Sequence, residues 1–215
     1  MSARLFGVTS ALALMAAIPA LAEMNFNRVA TFATPDNMAE GEDRSRVTSA
    51  EIISASSDGM TLIYTDSPLG VVGLIDITDP KAPKALGNID VGGEPTTAKI
   101  IGGMAFAGVN TSADYVNTSG KMVAIDLATK AIAGECELGG QPDSVAAAKD
   151  GSFLAIAIEN ERDEDLNDGK LPQMPAGYVV KLPIKDGAMD CAGLQKIEMT
   201  GLAVDFHPEV SRVFH

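Results

Sequence analysis

The chain has 215 residues, of which 46% are hydrophobic and 21% charged, which suffices for one well-buried core or two small ones and excludes disorder of the whole chain. Sixteen Lys and Arg against 29 Asp and Glu leave a net charge of −13 with no basic patch, so a nucleic acid would meet repulsion and is not an expected partner. With no Trp, two His and two Cys, the composition rules out a zinc finger and leaves few groups for imidazole catalysis.

Residues 1–22 read as a secretory signal: Arg4, an apolar run from Leu5 to Ile18, and Ala20-Leu21-Ala22 as a small-x-small cleavage site. The run is shorter than the roughly 20 residues that cross a bilayer, and no later segment is longer, so no membrane span is expected and the periplasm or the medium is the address. A segment from Asn25 to Pro35 reads like the last strand of a repeat unit with nothing but the signal before it.

A repeat then organises the chain. Segments starting at Thr48, Pro95 and Pro142 align at intervals of 47 residues, the second and third each preceded by one turn, Gly92-Gly93-Glu94-Pro95 and Gly139-Gly140-Gln141-Pro142. A second match, Gly73–Ile77, Val123–Leu127 and Tyr178–Leu182, falls downstream in each unit. In the first unit the pattern predicts strands over Ala50–Ala55, Met60–Thr65, Val71–Ile77 and Ala85–Val91, separated by Ser57-Asp58-Gly59 and by Asp79-Pro80-Lys81-Ala82-Pro83. Four short strands in about 47 residues is the size of one propeller blade. The expected fold is therefore all-β, a β-propeller of four-stranded blades over residues 23–203, truncated to about three complete blades plus partial ones. A further last strand is expected at Leu194–Gly201, followed by an irregular tail at 204–215 that carries both His207 and His215.

In such a blade, the loop between its second and third strands and the loop entering the next blade emerge on one face. That face would collect Asp66, Asn110 and Asn160 from the first loops, with Glu159 and Glu161 beside the last, and Glu94, Gln141 and Asp143 from the inter-blade turns; these eight are the candidate ligand-binding residues. The longest of the loops contains Asp163, Asp165, Asn167 and Asp168, alternating oxygen donors of the kind that open a calcium loop. The pattern departs from an EF-hand, with Asp168 where glycine is required and Met174 where the last glutamate belongs. An acidic run is more often a solvated loop, and that reading is preferred, with calcium as the possible cofactor. Cys136 and Cys191 lie near the last strands of consecutive units in an exported chain; an inter-blade disulfide is the preferred reading and two buried thiols the alternative. No Gly-x-Ser-x-Gly or other nucleophile signature occurs.

Tyr64–Gly70, Asn88–Pro95, Gly139–Val145, Ile158–Gly169 and Leu171–Gly177 together resemble the N-terminal propeller of secreted bacterial proteins described as phytase-type esterases, and more distantly the YVTN-type propeller repeats. The resemblance covers roughly Phe26 to Ala203. It implies a longer, seven-bladed parent and calcium-assisted hydrolysis of phosphate esters, with no catalytic residue carried onto this stretch. Two functions follow. The preferred one is a secreted or periplasmic binding or scaffold module for an unknown small molecule or protein; the alternative is part of a calcium-dependent phosphoesterase, phytase-like or alkaline-phosphatase-like, in which carboxylates hold metal ions that polarise a phosphoryl oxygen.

Overall fold

A computed structural model describes residues 27–170 and 172–199. The segment expected to be a signal, the tail with its two histidines, and Leu171 lie outside the described residues. Among the described residues, thirteen strands and short 3-10 turns make up the regular structure. The first sheet is β1 (Ala50–Ala55), β2 (Thr61–Asp66), β3 (Val71–Asp76) and β4 (Lys84–Asp90), antiparallel in that order. The second repeats the plan with β5 (Glu94–Ile101), β6 (Met104–Asn110), β7 (Gly120–Asp126) and β8 (Ala131–Glu137). The third joins β9 (Pro142–Ala147), β10 (Phe153–Ile158) and β11 (Tyr178–Lys185), with the short β12 (Ala188–Met189) and then β13 (Gln195–Glu198) both pairing along β11. The chain is all-β, and these are the four-stranded blades that the repeat predicts, with strand ends within one residue of expectation in the first unit.

Hairpin turns inside the sheets are closed by aspartates. At the β1–β2 turn, Asp58 Oδ1 accepts from Ser56 Oγ at 2.6 Å and from Met60 N at 2.9 Å, and Gly59 supplies the left-handed residue. Asp150 makes the same pair of bonds with Ser152 before β10, and Asp126 holds the backbone N–H groups of Ala128 and Thr129 after β7. Each of these hydrogen bonds favours the ionised acid, so all three carboxyls are held below the usual range.

Alternation along the strands decides which sheet packs on which. Ala105, Ala107 and Val109 of β6, with Val123 and Ile125 of β7, face the first sheet and meet Ile63, Val72 and Leu74 there. The intervening Phe106, Met122 and Ala124 face the third sheet and meet Leu154, Ile156, Val180 and Leu182. The middle sheet is thus apolar on both faces, and burying a side chain such as Phe106 or Leu154 contributes about 1.5–3 kcal/mol each by transfer from water.

The recurrent Gly-Gly turn has a specific cause. Its first glycine, Gly92 or Gly139, takes positive φ (69° and 85°). Its second lies against the end of the next sheet's second strand: a Cβ on Gly93 would sit 2.7 Å from the Asn110 carbonyl oxygen, and one on Gly140 would sit 2.7 Å from Ile158 Cγ2. The contact is mutual between the last two blades, because a Cβ on Gly120 would meet the Gly140 carbonyl oxygen at 2.2 Å.

The N-terminal segment differs from expectation. Residues 27–33 form no strand, since no third strand among the described residues is free to pair with them; a 3-10 turn follows at Thr34–Asn37. Asn37 is buried against the first sheet, donating from Nδ2 to Tyr64 Oη and to the Leu74 carbonyl, both at 3.0 Å, and accepting from Gly87 N at 3.0 Å. Its amide thereby bonds the Leu74 carbonyl and the Gly87 N–H where the β3–β4 register shifts.

Candidate functional site

Strands β2 and β6 end at Asp66 and Asn110, and β10 ends two residues before Asn160, so the loops that follow leave the three sheets at corresponding ends. The β6–β7 and β10–β11 loops are the long ones. Between them runs a side-chain relay: Asn110 Nδ2 donates to Gln141 Oε1 at 2.7 Å, and Gln141 Nε2 donates to Glu159 Oε2 at 2.7 Å. Gln141 therefore bridges the end of the second sheet to that of the third, which is why an amide in the repeated turn is useful: it carries a donor and an acceptor together.

Three carboxylates surround this relay. Partial burial, and then the neighbouring charges of Asp143 and Glu161, push the Glu159 carboxyl above its ordinary value. Glu161 is buried, and its Oε1 accepts from Ser112 Oγ, a contact that ties the two long loops together. Ser112 also receives the Ser119 N–H at 3.0 Å, closing the β6–β7 loop on itself.

Five of the eight candidate residues are thus brought together: Asn110, Gln141, Asp143, Glu159 and Glu161. Three are employed otherwise. Glu94 opens β5, paired across the ladder with Asn110, rather than lying in a turn. Asn160 donates from Nδ2 to the carbonyls of Gln173 (2.9 Å) and Pro175, fastening its own loop. Asp66 is fully buried: Oδ1 accepts from Ser49 N at 3.0 Å and Oδ2 has no hydrogen-bond partner. Such an oxygen costs free energy on the order of 1–3 kcal/mol. Sequence reasoning did not single out Ser112 or Asn37; the only signal was a small polar residue in a loop or turn, which is too common to point anywhere.

The four candidate metal ligands do not form a donor set. Asp163 Oδ1 accepts from Asp165 N at 2.9 Å, Asp168 Oδ2 pairs with Lys170 Nζ at 3.2 Å, and Asn167 and Asp168 both take left-handed backbone angles. Among the described residues no three His, Cys, Asp or Glu side chains are grouped to hold one ion. Cys136 on β8 and Cys191 before β13 are joined as a disulfide with a Cα–Cα distance of 5.4 Å, fastening the outer edge of the second sheet to that of the third.

Residues 51–207 match the family model of the Choice-of-anchor I domain. The chain belongs to that family. Choice-of-anchor I domains are β-rich modules of secreted proteins, which agrees with three consecutive antiparallel sheets of four, four and five strands. Among solved structures the chain is similar to hydrazine synthase of Kuenenia stuttgartiensis, at 17% identity and a TM-score of 0.51, over 69% of this chain and 37% of that one; the likeness concerns the fold. No curated protein matches the chain. No helix among the described residues of this Choice-of-anchor I domain is long and apolar enough to cross a membrane.

Proposed function

We propose that this Choice-of-anchor I domain is a binding or scaffold module of the periplasm or cell exterior, and that its ligand-facing side is the sheet end built by Asn110, Gln141 and Glu159. The observation that carries the reading is the Gln141 bridge between two sheets with three carboxylates gathered around it. A rigid scaffold holds these groups in register, and like charges crowded at one point favour a ligand that brings a positive charge or several hydrogen-bond donors. The ligand class is therefore a small amine or polyamine.

The test is a thermal-shift and calorimetric titration of the purified mature chain with spermidine, choline and, as a neutral control, glycerol. A midpoint shift with spermidine that disappears in Glu159→Gln and in Gln141→Ala supports the reading; equal shifts in all three proteins, or none in the wild type, sink it. The resemblance to phytase-type esterases adds one arm to the experiment: release of p-nitrophenol from p-nitrophenyl phosphate, with calcium and with chelator. Calcium-dependent turnover would replace the binding reading with a hydrolase.

A further inference from the structure

Beside the relay, and independent of it, the β6–β7 and β10–β11 loops enclose a trough of about 530 Å³. Its walls carry Tyr115, Val116, Leu166 and Met174, which are 52%, 70%, 51% and 68% exposed, with Asp114 and Asp163 among the lining polar groups. Four large, exposed apolar side chains from two separate loops line this one trough alongside its polar groups. We propose that this trough docks a short extended segment of a partner protein in which a lysine or arginine adjoins an apolar side chain.

The loops that present the patch are pinned. Asp114 Oδ1 accepts from Val116 N at 2.9 Å and from Asn117 N at 2.7 Å. On the other wall, Gln173 and Asp163 exchange hydrogen bonds, Asp163 N to Gln173 Oε1 and Gln173 Nε2 to the Asp163 carbonyl, both at 2.9 Å. The Ser112–Glu161 contact joins the two walls. A partner would therefore meet a preorganised surface and lose little free energy to loop ordering.

Shape and charge select the occupant. A drug-sized ligand normally buries 70–90% of its surface, which calls for a pocket with closed walls. Here the walls themselves are half exposed, so the trough grips one or two side chains and leaves the occupant's backbone in solvent, as suits a peptide. The β10–β11 loop carries Asp163, which lines the trough, and Glu164, Asp165 and Asp168, against Arg162 and Lys170, in a chain of net charge −13. Backbone N–H donation, from Asn117 first, holds Asp114 below the usual carboxylate range and thus charged. A second copy of this chain, a nucleic acid or an anionic bilayer would bring like charge to the trough; a cationic segment brings the complement.

The experiment is fluorescence anisotropy of the full mature chain with a fluorescein-labelled peptide Lys-Leu-Lys-Phe-Lys-Leu, and with its Glu-Leu-Glu-Phe-Glu-Leu counterpart. The basic peptide is expected to bind more weakly as salt rises, and the acidic one not to bind. Leu166→Ser combined with Met174→Ser, both exposed and so neutral to folding, should weaken binding by at least about tenfold. Asp163→Asn, which can still accept from Asp165 N, should weaken it about threefold and flatten the salt dependence. Asp79→Asn, in the β3–β4 turn of the first sheet and away from both loops, should leave it unchanged within about twofold, a control for the loss of one charge. Equal binding of the two peptides, no binding of the basic one, or full binding by the Leu166/Met174 double variant would each overturn the proposal.

Discussion

The first and second sheets are built from the same repeat and bury most of their central strands alike, yet their first strands differ: β5 hides half of its residues, whereas β1 hides only Ser54. Thr97, Ala98 and Ile100 on β5 are buried, whereas Ile53 on β1 is 60% exposed beside an open apolar groove with Leu62 and Ile75. Strand composition does not make the difference. A middle sheet has a neighbour on each face, so its runs are continuously apolar; an outer sheet has one, and the N-terminal segment with Asn37 covers only part of the other.

The largest effect should come from breaking the buried side of that comparison. Phe106→Ala, which opens a cavity between the second and third sheets, should lower unfolding free energy by about 3–5 kcal/mol in urea denaturation, while Ile53→Ala should change it by no more than about 0.5 kcal/mol. If the two cost the same, the outer face of the first sheet is covered in solution. Next comes the disulfide, which staples the second sheet to the third and has no counterpart between the first and second. Cys136→Ser combined with Cys191→Ser should cost on the order of 4 kcal/mol from the 55-residue separation, measured by the same denaturation under oxidising conditions.

A smaller effect separates Asp66 from Asn110, which end the second strand of the first and second sheets. Asn110 spends its amide as a donor to Gln141, whereas Asp66 has only acceptors and leaves Oδ2 alone in the interior. Asp66→Asn keeps an oxygen for the Ser49 N–H and replaces the unpartnered Oδ2, and should raise stability by about 1 kcal/mol. The smallest effect is the pH response of Glu159. Its folded pKa lies above the ordinary 4.5, so between those values the native state holds more protons than the unfolded chain, and stability falls as pH rises through that window. Glu159→Gln should flatten that fall; a variant with the wild-type pH profile would show that neither burial nor the neighbouring carboxylates raise it.

Much of the architecture was legible because its physics is local. Turn residues and β-branched runs set β1 to β4 nearly to the residue, and the recurrence of Gly-Gly before Glu94 and Gln141 announced the blade boundary. The segment before Thr34 was misread as a strand because a strand-like pattern does not carry its partner with it. The candidate site was half legible. Position within the repeat placed Asn110, Gln141 and Glu159 at one end, but whether an oxygen faces a ligand or its own backbone depends on loop path, which spacing does not encode. Asn160 and Asp163 bond to the backbone of their own loop for that reason. The trough walls escaped notice altogether: Tyr115, Val116, Leu166 and Met174 are scattered apolar residues in polar loops until the fold sets them side by side.

The meeting of Gly120 with Gly140 bears on anyone who would lengthen or rewire this array. Two backbones touch there with no room for a methyl group, so the joint is made of main chain and belongs to neither unit alone. A blade copied as 47 residues would arrive with half a fastener. Grafting would succeed when the donor turn and the recipient glycine travel together, and the natural cut for a transplant lies inside a sheet rather than between two.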